Sequence, residues 1–154
     1  MIKIITIGTI KEKYLKDAIT EYQKRLQKYT NLEIIELKDE GLVEINKAIQ
    51  LEGEKIKKHL TEKDYIITME IEGEQLNSVE FSKKLEGIQL ESSNIVFIIG
   101  GSYGLSPEIK AKSRLHLSVS KMTFPHQLFR VILLEQIYRA YKIMKVIINR
   151  RFKW

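Results

Sequence analysis

The sequence predicts an α/β fold, with a mostly parallel sheet flanked by helices on both faces. Three observations carry this expectation. Short, isoleucine-rich apolar runs recur along the chain, stretches with apolar residues at helical spacing separate them, and the two kinds of segment alternate from one end to the other. Residues 2–7 (Ile-Lys-Ile-Ile-Thr-Ile) form the first strand, apolar enough to be buried on both faces, and Gly8 ends it. Leu15, Ala18, Ile19, Tyr22, Leu26 and Tyr29 then repeat with charges between them, as in an amphipathic helix. Residues 32–37 give a second strand and residues 45–60 a second helix carrying Ile45, Ala48, Ile49, Ile56 and Leu60. A third strand is expected over 65–69, and a third helix over 78–90 with Ser78 as its N-cap. The fourth strand spans 95–99. Ser106-Pro107-Glu108 opens a short helix, with Ser as N-cap, Pro at the first helical position and Glu near the positive end of the helix dipole. A fifth strand over 115–119 leads to a long final helix that begins at Pro125.

That last helix is apolar nearly all round, through Leu128, Phe129, Val131, Ile132, Leu133, Leu134, Ile137, Tyr138, Ala140, Tyr141, Ile143 and Met144. Such a helix needs burial on more than one side. The sequence therefore predicts a homodimer with this helix at the interface; the alternative is a central core helix within one chain.

Residues 1–154 read as a single domain, a length at which about 70% of the unfolded surface is buried. Cysteine is absent, which excludes disulfides and thiolate metal sites, and the isolated His59, His116 and His126 have no metal-ligand spacing, so no metal is expected. Neither a signal-peptide layout nor an apolar run of about 18 residues is present, so a cytoplasmic location without membrane contact is expected. The net charge of +6 is unevenly spread. From Lys110 onward eleven Lys and Arg face one acid, Glu135, which gives +10 there and −4 in the remainder. A one-sided charge of this kind favours a polyanionic partner, nucleic acid foremost.

Two loops are candidates for ligand binding. Gly100-Gly101-Ser102-Tyr103-Gly104 follows a strand and precedes a helix, where glycine permits close approach of a ligand and where open parallel sheets bind ligands. A tight strand–helix turn is the plain alternative. The loop is neither the G-x-G-x-x-G dinucleotide fingerprint nor a G-x-x-x-x-G-K-[ST] phosphate loop, which weighs against a nicotinamide-dependent oxidoreductase and a P-loop NTPase. The second loop, residues 119–124, offers the hydroxyls of Ser120 and Thr123 and apolar walls from Met122 and Phe124, a mixture suited to a flat ring with a polar tail. Met69-Glu-Ile-Glu-Gly73 can complete the pocket. His126 falls in the first turn of the final helix, where the dipole disfavours its charged form, and Arg130 follows one turn later on the same face. A His/Arg pair beside a ligand loop can remove a proton and steady negative charge.

At these residues the chain resembles the SPOUT-class large-subunit ribosomal RNA methyltransferases that modify a pseudouridine at ring nitrogen 3. The matching stretches are Ile98-Ile-Gly-Gly-Ser-Tyr-Gly-Leu-Ser106, Leu117-Ser-Val-Ser-Lys-Met-Thr-Phe-Pro-His126 and Arg130-Val-Ile-Leu-Leu-Glu-Gln-Ile-Tyr-Arg-Ala140, with weaker matches at Glu21-Tyr22, Glu52-Gly-Glu54 and Ile71-Glu-Gly73. The resemblance runs from the N-terminus to about Met144. It implies a C-terminal trefoil knot that cradles S-adenosyl-L-methionine, a homodimer, and ribosomal RNA, within an assembled ribosome, as substrate. Carried over by motif, the cofactor contacts are Met69, Gly100, Val119, Ser120, Lys121, Met122, Thr123 and Phe124. His126 and Arg130 are the candidates for catalysis.

The chain departs from the family pattern at its end. The family finishes in a Tyr-His pair followed by a basic residue, whereas this chain ends Lys145-Val-Ile-Ile-Asn-Arg-Arg-Phe-Lys-Trp154 without histidine. Phe152 can stand in for the aromatic ring and Lys153 or Arg151 for the charge. The sequence therefore leaves two readings open: an active methyltransferase, and a cofactor-binding, ribosome-associated protein without catalysis.

Overall fold

The computed structural model describes residues 1–41 and 43–151. Among them, strands and helices alternate as β1 (Ile2–Ile7), α1 (Lys13–Leu26), β2 (Leu32–Leu37), α2 (Ile45–Lys57), β3 (Tyr65–Gln75), α3 (Ser78–Glu91), β4 (Ile95–Ile99), α4 (Pro107–Lys112), β5 (Leu115–Ser118) and α5 (His126–Arg151). The strands form one sheet in the order β2-β1-β4-β3-β5, every neighbouring pair parallel.

Alternation along the strands divides the core. Ile2 and Ile4 of β1 and Ile95, Phe97 and Ile99 of β4 face one side, where they pack with Leu26, Phe81, Leu85, Leu133, Ile137 and Tyr141 from α1, α3 and α5. Ile5, Ile7, Val96 and Ile98 face the other side and meet Ile56 of α2 and Ile109 of α4. Every residue of β4 is buried. Each such Ile or Phe contributes about 1.5–3 kcal/mol relative to exposure, so the centre of the sheet is its most strongly held part.

Helix ends follow local chemistry. Ser106 caps α4 by accepting from the Ile109 N–H at 3.2 Å, with Pro107 in the first turn, as expected. At α3 the cap is Asn77 rather than Ser78. The Asn77 side chain accepts from the Glu80 N–H at 2.8 Å, and the Glu80 carboxylate accepts from the Asn77 N–H at 2.9 Å, a reciprocal capping box. Strand β3 also runs past the expected end at Met69. Its pairing to β5 shifts register between Met69 and Glu74, the signature of a bulge, and resumes at Gln75 opposite Ser118. Gly73 makes this possible, since a Cβ there would stand 2.7 Å from the carbonyl carbon and oxygen of His116.

The apolar perimeter of α5 finds most of its partners inside the chain. The helix packs against both α1 and α3 as well as the sheet, burying Leu133, Leu134, Ile137, Ala140, Tyr141 and Met144. Ser82 of α3 donates to the Ala140 carbonyl at 2.8 Å. These contacts occupy much of the apolar perimeter of α5, and among its described apolar residues Leu128 and Val146 are left exposed. Among the described residues no helix is long and apolar enough to cross a membrane.

Candidate functional site

The carboxyl ends of β3, β4 and β5 converge on a cleft of about 470 Å³. Each rim segment has a local cause. After β4, the chain folds back through an isolated bridge between Gly101 and Gly104, closed by the Gly104 N–H donating to the Gly101 carbonyl at 3.1 Å. Gly104 takes φ +85°, and a Cβ on Gly100 would sit 2.9 Å from the carbonyl carbon and oxygen of Gly104. The loop is therefore the expected tight turn, and the same tightness leaves its backbone bare toward the cleft. After β5, the Ser118 hydroxyl donates to the Ser120 carbonyl at 3.1 Å and the Met122 N–H donates to the Ser120 hydroxyl at 3.0 Å, which curls residues 118–122 into a second rim. Phe124 stacks on Phe129 of α5, ring centroids 6.2 Å apart.

Of the residues singled out from the sequence, Met69, Gly100, Val119, Ser120, Met122, Thr123, Phe124 and His126 line this one cleft. Met122 is 76% exposed, so core packing does not explain it. Lys121 is exposed and lies outside the lining. Arg130 is also absent from it, so the expected His126/Arg130 pair is not assembled there. Arg130 is 4% exposed and turned to the opposite end of the sheet edge. Its Nη1 donates to Glu36 of β2 at 2.6 Å, and Nη2 donates to the carbonyls of Ile7 at 3.2 Å and Gly8 at 2.7 Å. Glu36 also accepts from the Ile10 N–H at 2.9 Å. Burial pushes the guanidinium below its ordinary value while Glu36 pulls it back, and an arginine so placed stays charged.

Sequence reasoning missed several members of the lining. Leu117, Leu105 and Phe129 supply apolar wall, and Ser118 and Lys110 supply polar groups; Ser102 and Glu70 also line it, within the two segments Gly100–Gly104 and Met69–Gly73 already marked as rims. Glu70 is the best anchored. Thr68 donates to its Oε2 at 2.7 Å, His116 bonds the same oxygen through Nδ1, and the ammonium of Lys110 stands 3.6 Å from Oε1. Burial alone would raise the Glu70 carboxyl; the bonds from Thr68 and His116, with the charges of His116 and Lys110, overcome it and hold the group below the usual carboxylate range. Its signal in the sequence was its place in Met69-Glu-Ile-Glu-Gly73, the segment expected to complete the pocket.

The basic C-terminal region is partly neutralised in space. Lys110, Arg114, Arg130 and Arg139 face Glu70, Glu91, Glu36 and Glu135. Among the described residues, no three His, Cys, Asp or Glu side chains are grouped to hold a metal. The tail substitutes Phe152 and Lys153 lie outside the described residues, as does the Arg151 side chain.

Apolar walls, bared backbone and fixed polar groups fit a ligand with a flat ring and a polar tail. Residues 1–147 match the family model described as "Predicted SPOUT methyltransferase". A protein of Methanococcus vannielii is 51% identical over 150 residues, covering 93% of this chain and 94% of that one. The "Ribosomal RNA large subunit methyltransferase H" of Clostridium acetobutylicum is 48% identical over 151 residues, covering 94% and 95%. That of Caldicellulosiruptor saccharolyticus is 47% identical over 148 residues, covering 94% and 96%.

Proposed function

This chain belongs to the SPOUT methyltransferase family, and on that premise we propose that it methylates a pseudouridine at N3 in large-subunit ribosomal RNA, using S-adenosyl-L-methionine, on the assembled ribosome in the cytoplasm. The observation that carries the reading is the cleft at the carboxyl ends of β3, β4 and β5, into which seven of the eight cofactor contacts implied by the resemblance fall together with His126. Residues 1–154 act as one α/β-knot domain and pair as a homodimer through α5, whose Leu128 and Val146 remain well exposed in one copy.

The residues of the cleft suit the cofactor. Met69, Leu117, Leu105 and Phe129 give an apolar bed for the adenine, and the backbone groups at Gly100 and 119–124 give it polar edges. When bound, S-adenosylmethionine supplies a methyl group activated by its sulfonium. The protein's task is then alignment of donor and acceptor for an in-line displacement. The ring N–H of the base must lose its proton before nitrogen attacks, and His126, exposed at the start of α5 and lining the cleft, is the group placed to take it. Arg130 serves by fixing the ends of β1 and β2 to α5, since its guanidinium is already committed to Glu36 and two carbonyls. Lys112, Lys121, Lys142 and Lys145 remain to meet phosphate.

The test is transfer of labelled methyl from S-adenosylmethionine to ribosomes from a strain lacking this modification. Incorporation into large-subunit RNA is expected. Saturable cofactor binding without incorporation would instead support the reading of a cofactor-binding, ribosome-associated protein without catalysis; absence of cofactor binding would overturn both.

A further inference from the structure

Glu70 is held in a way that a structural carboxylate does not require. Its side chain is only 17% exposed, and one oxygen, Oε2, takes the bonds from Thr68 and His116. Thr68 is itself fully buried, and its hydroxyl lies 2.8 Å from that of Ser113, which donates to the Leu115 carbonyl at 2.8 Å. The carboxylate is thus tied into β3, β5 and the end of α4. No hydrogen bond reaches Oε1 among the described residues; its neighbour is Lys110 at 3.6 Å, outside good hydrogen-bond range. A carboxylate oxygen fixed in a ligand cleft and left without a donor is an acceptor awaiting one.

Resting on the cofactor reading above, we propose that Glu70 accepts a hydrogen bond, through Oε1, from the vicinal hydroxyls of the cofactor's ribose, and so selects for an intact adenosyl group. The cofactor offers two kinds of flexible or rigid donor here, its α-ammonium and its ribose diol. Lys110 beside Oε1 disfavours a second cation at that oxygen and leaves a neutral diol as the better match. A rigidly anchored acceptor also suits the rigid part of the ligand rather than its flexible amino-acid end. Thr68 and His116 are positioning residues, since they act through the carboxylate.

Calorimetric titration of the intact protein tests this with S-adenosylmethionine, 5′-methylthioadenosine, which lacks the amino-acid end and the sulfonium, and the 2′,3′-dideoxy form of that nucleoside. Wild-type protein and the Glu70→Gln variant are compared, with Glu70→Asp as a second variant that keeps the charge but withdraws it by one methylene. Loss of a hydrogen bond to a charged group predicts about tenfold or more weaker binding of both S-adenosylmethionine and 5′-methylthioadenosine to Glu70→Gln. Removing the diol should weaken binding to wild type by a similar factor and to Glu70→Gln hardly at all. Glu70→Asp should also lose affinity, and near-wild-type melting temperatures would show that the fold is intact. If Glu70→Gln weakens only S-adenosylmethionine, the carboxylate meets the amino-acid end and the ribose assignment is wrong. An equal loss on diol removal in both proteins overturns it as well. Wild-type binding with no change in either variant sinks the assignment while leaving the cofactor reading standing; no binding by wild type sinks the cofactor reading itself.

Discussion

Two polar constellations stand at the same edge of the sheet, and they are built to opposite plans. At β1 and β2, Arg130 spends both terminal nitrogens on Glu36 and on the carbonyls of Ile7 and Gly8, which closes the network except at the buried Nε, left without a partner among the described residues. At β3 and β5, Glu70 lines the cleft and is gripped by Thr68 and His116 through one oxygen, while its other oxygen has no hydrogen-bond donor among the described residues. The closed network borders a smaller hollow of about 300 Å³ between β1, β2, α1 and α5. The open one sits between two loops that are bent to expose backbone. Charge and burial alone do not separate the two; they differ in what the groups serve, Arg130 tying the ends of β1 and β2 to α5 and Glu70 standing in the lining of the cleft.

The largest test of the closed side is Arg130→Ala. Removing one partner of a buried ion pair also strands two strand-end carbonyls, and with Glu36 partly exposed the expected loss is about 3 kcal/mol in denaturant unfolding. Arg130→Lys should restore only part of this, because one ammonium cannot reproduce a fork that serves three acceptors. A loss below about 1 kcal/mol for the alanine variant would mean that the network is not a structural clamp.

The open side should lose binding. In Gly100→Ala the new methyl meets the backbone of Gly104, so the loop must move away from the cleft. S-adenosylmethionine affinity is expected to fall about tenfold or more, roughly 1.4 kcal/mol, and the melting temperature to fall as well, since the clash is with backbone. Unchanged affinity would show that this loop does not touch the cofactor.

A smaller effect belongs to acid. The Glu70 carboxyl is held below its usual range, so its contribution is present above the unfolded-state value of about 4.3 and is lost as pH falls through that value toward the folded one. The stability advantage of wild type over Glu70→Gln should therefore be full near neutrality and shrink below about pH 4.3, as read from urea midpoints. Parallel pH profiles would contradict the anchoring described for Glu70. The smallest effect is expected at Met122, which is 76% exposed on the cleft rim: Met122→Gln should leave stability within about 0.5 kcal/mol. A larger loss would assign the rim to the core.

How much of this was legible in the sequence depended on range. The strands of the sheet centre were visible because residues buried on both faces leave apolar runs, unbroken in β4 and interrupted in β1 only by Lys3 and Thr6. The α3 cap was misplaced by one residue because Asn77 and Ser78 are both good caps, and only the spacing from Asn77 to Glu80 decides between them. The continuation of β3 was hidden because Glu70, Glu72 and Gly73 read as a loop, and Gly73 earns its place only against the backbone of His116. The cleft loops were legible as glycine and hydroxyl clusters after strands. The role of Arg130 was not, because helical spacing to His126 says which face it shares and nothing of Glu36, 94 residues earlier.

The Arg130 fork also has a consequence for how the chain reaches its native state. Its bonds to Ile7 and Gly8 span 123 and 122 residues, nearly the whole polypeptide. Closing so long a loop costs entropy before any contact is gained, and the fork adds a tie from the end of β1, already paired to β2 and β4, to α5. Topologies dominated by such distant pairings fold slowly. The first strand is made early but this tie cannot form until the last helix exists, so the final step of folding is expected to join the beginning of the chain to its end.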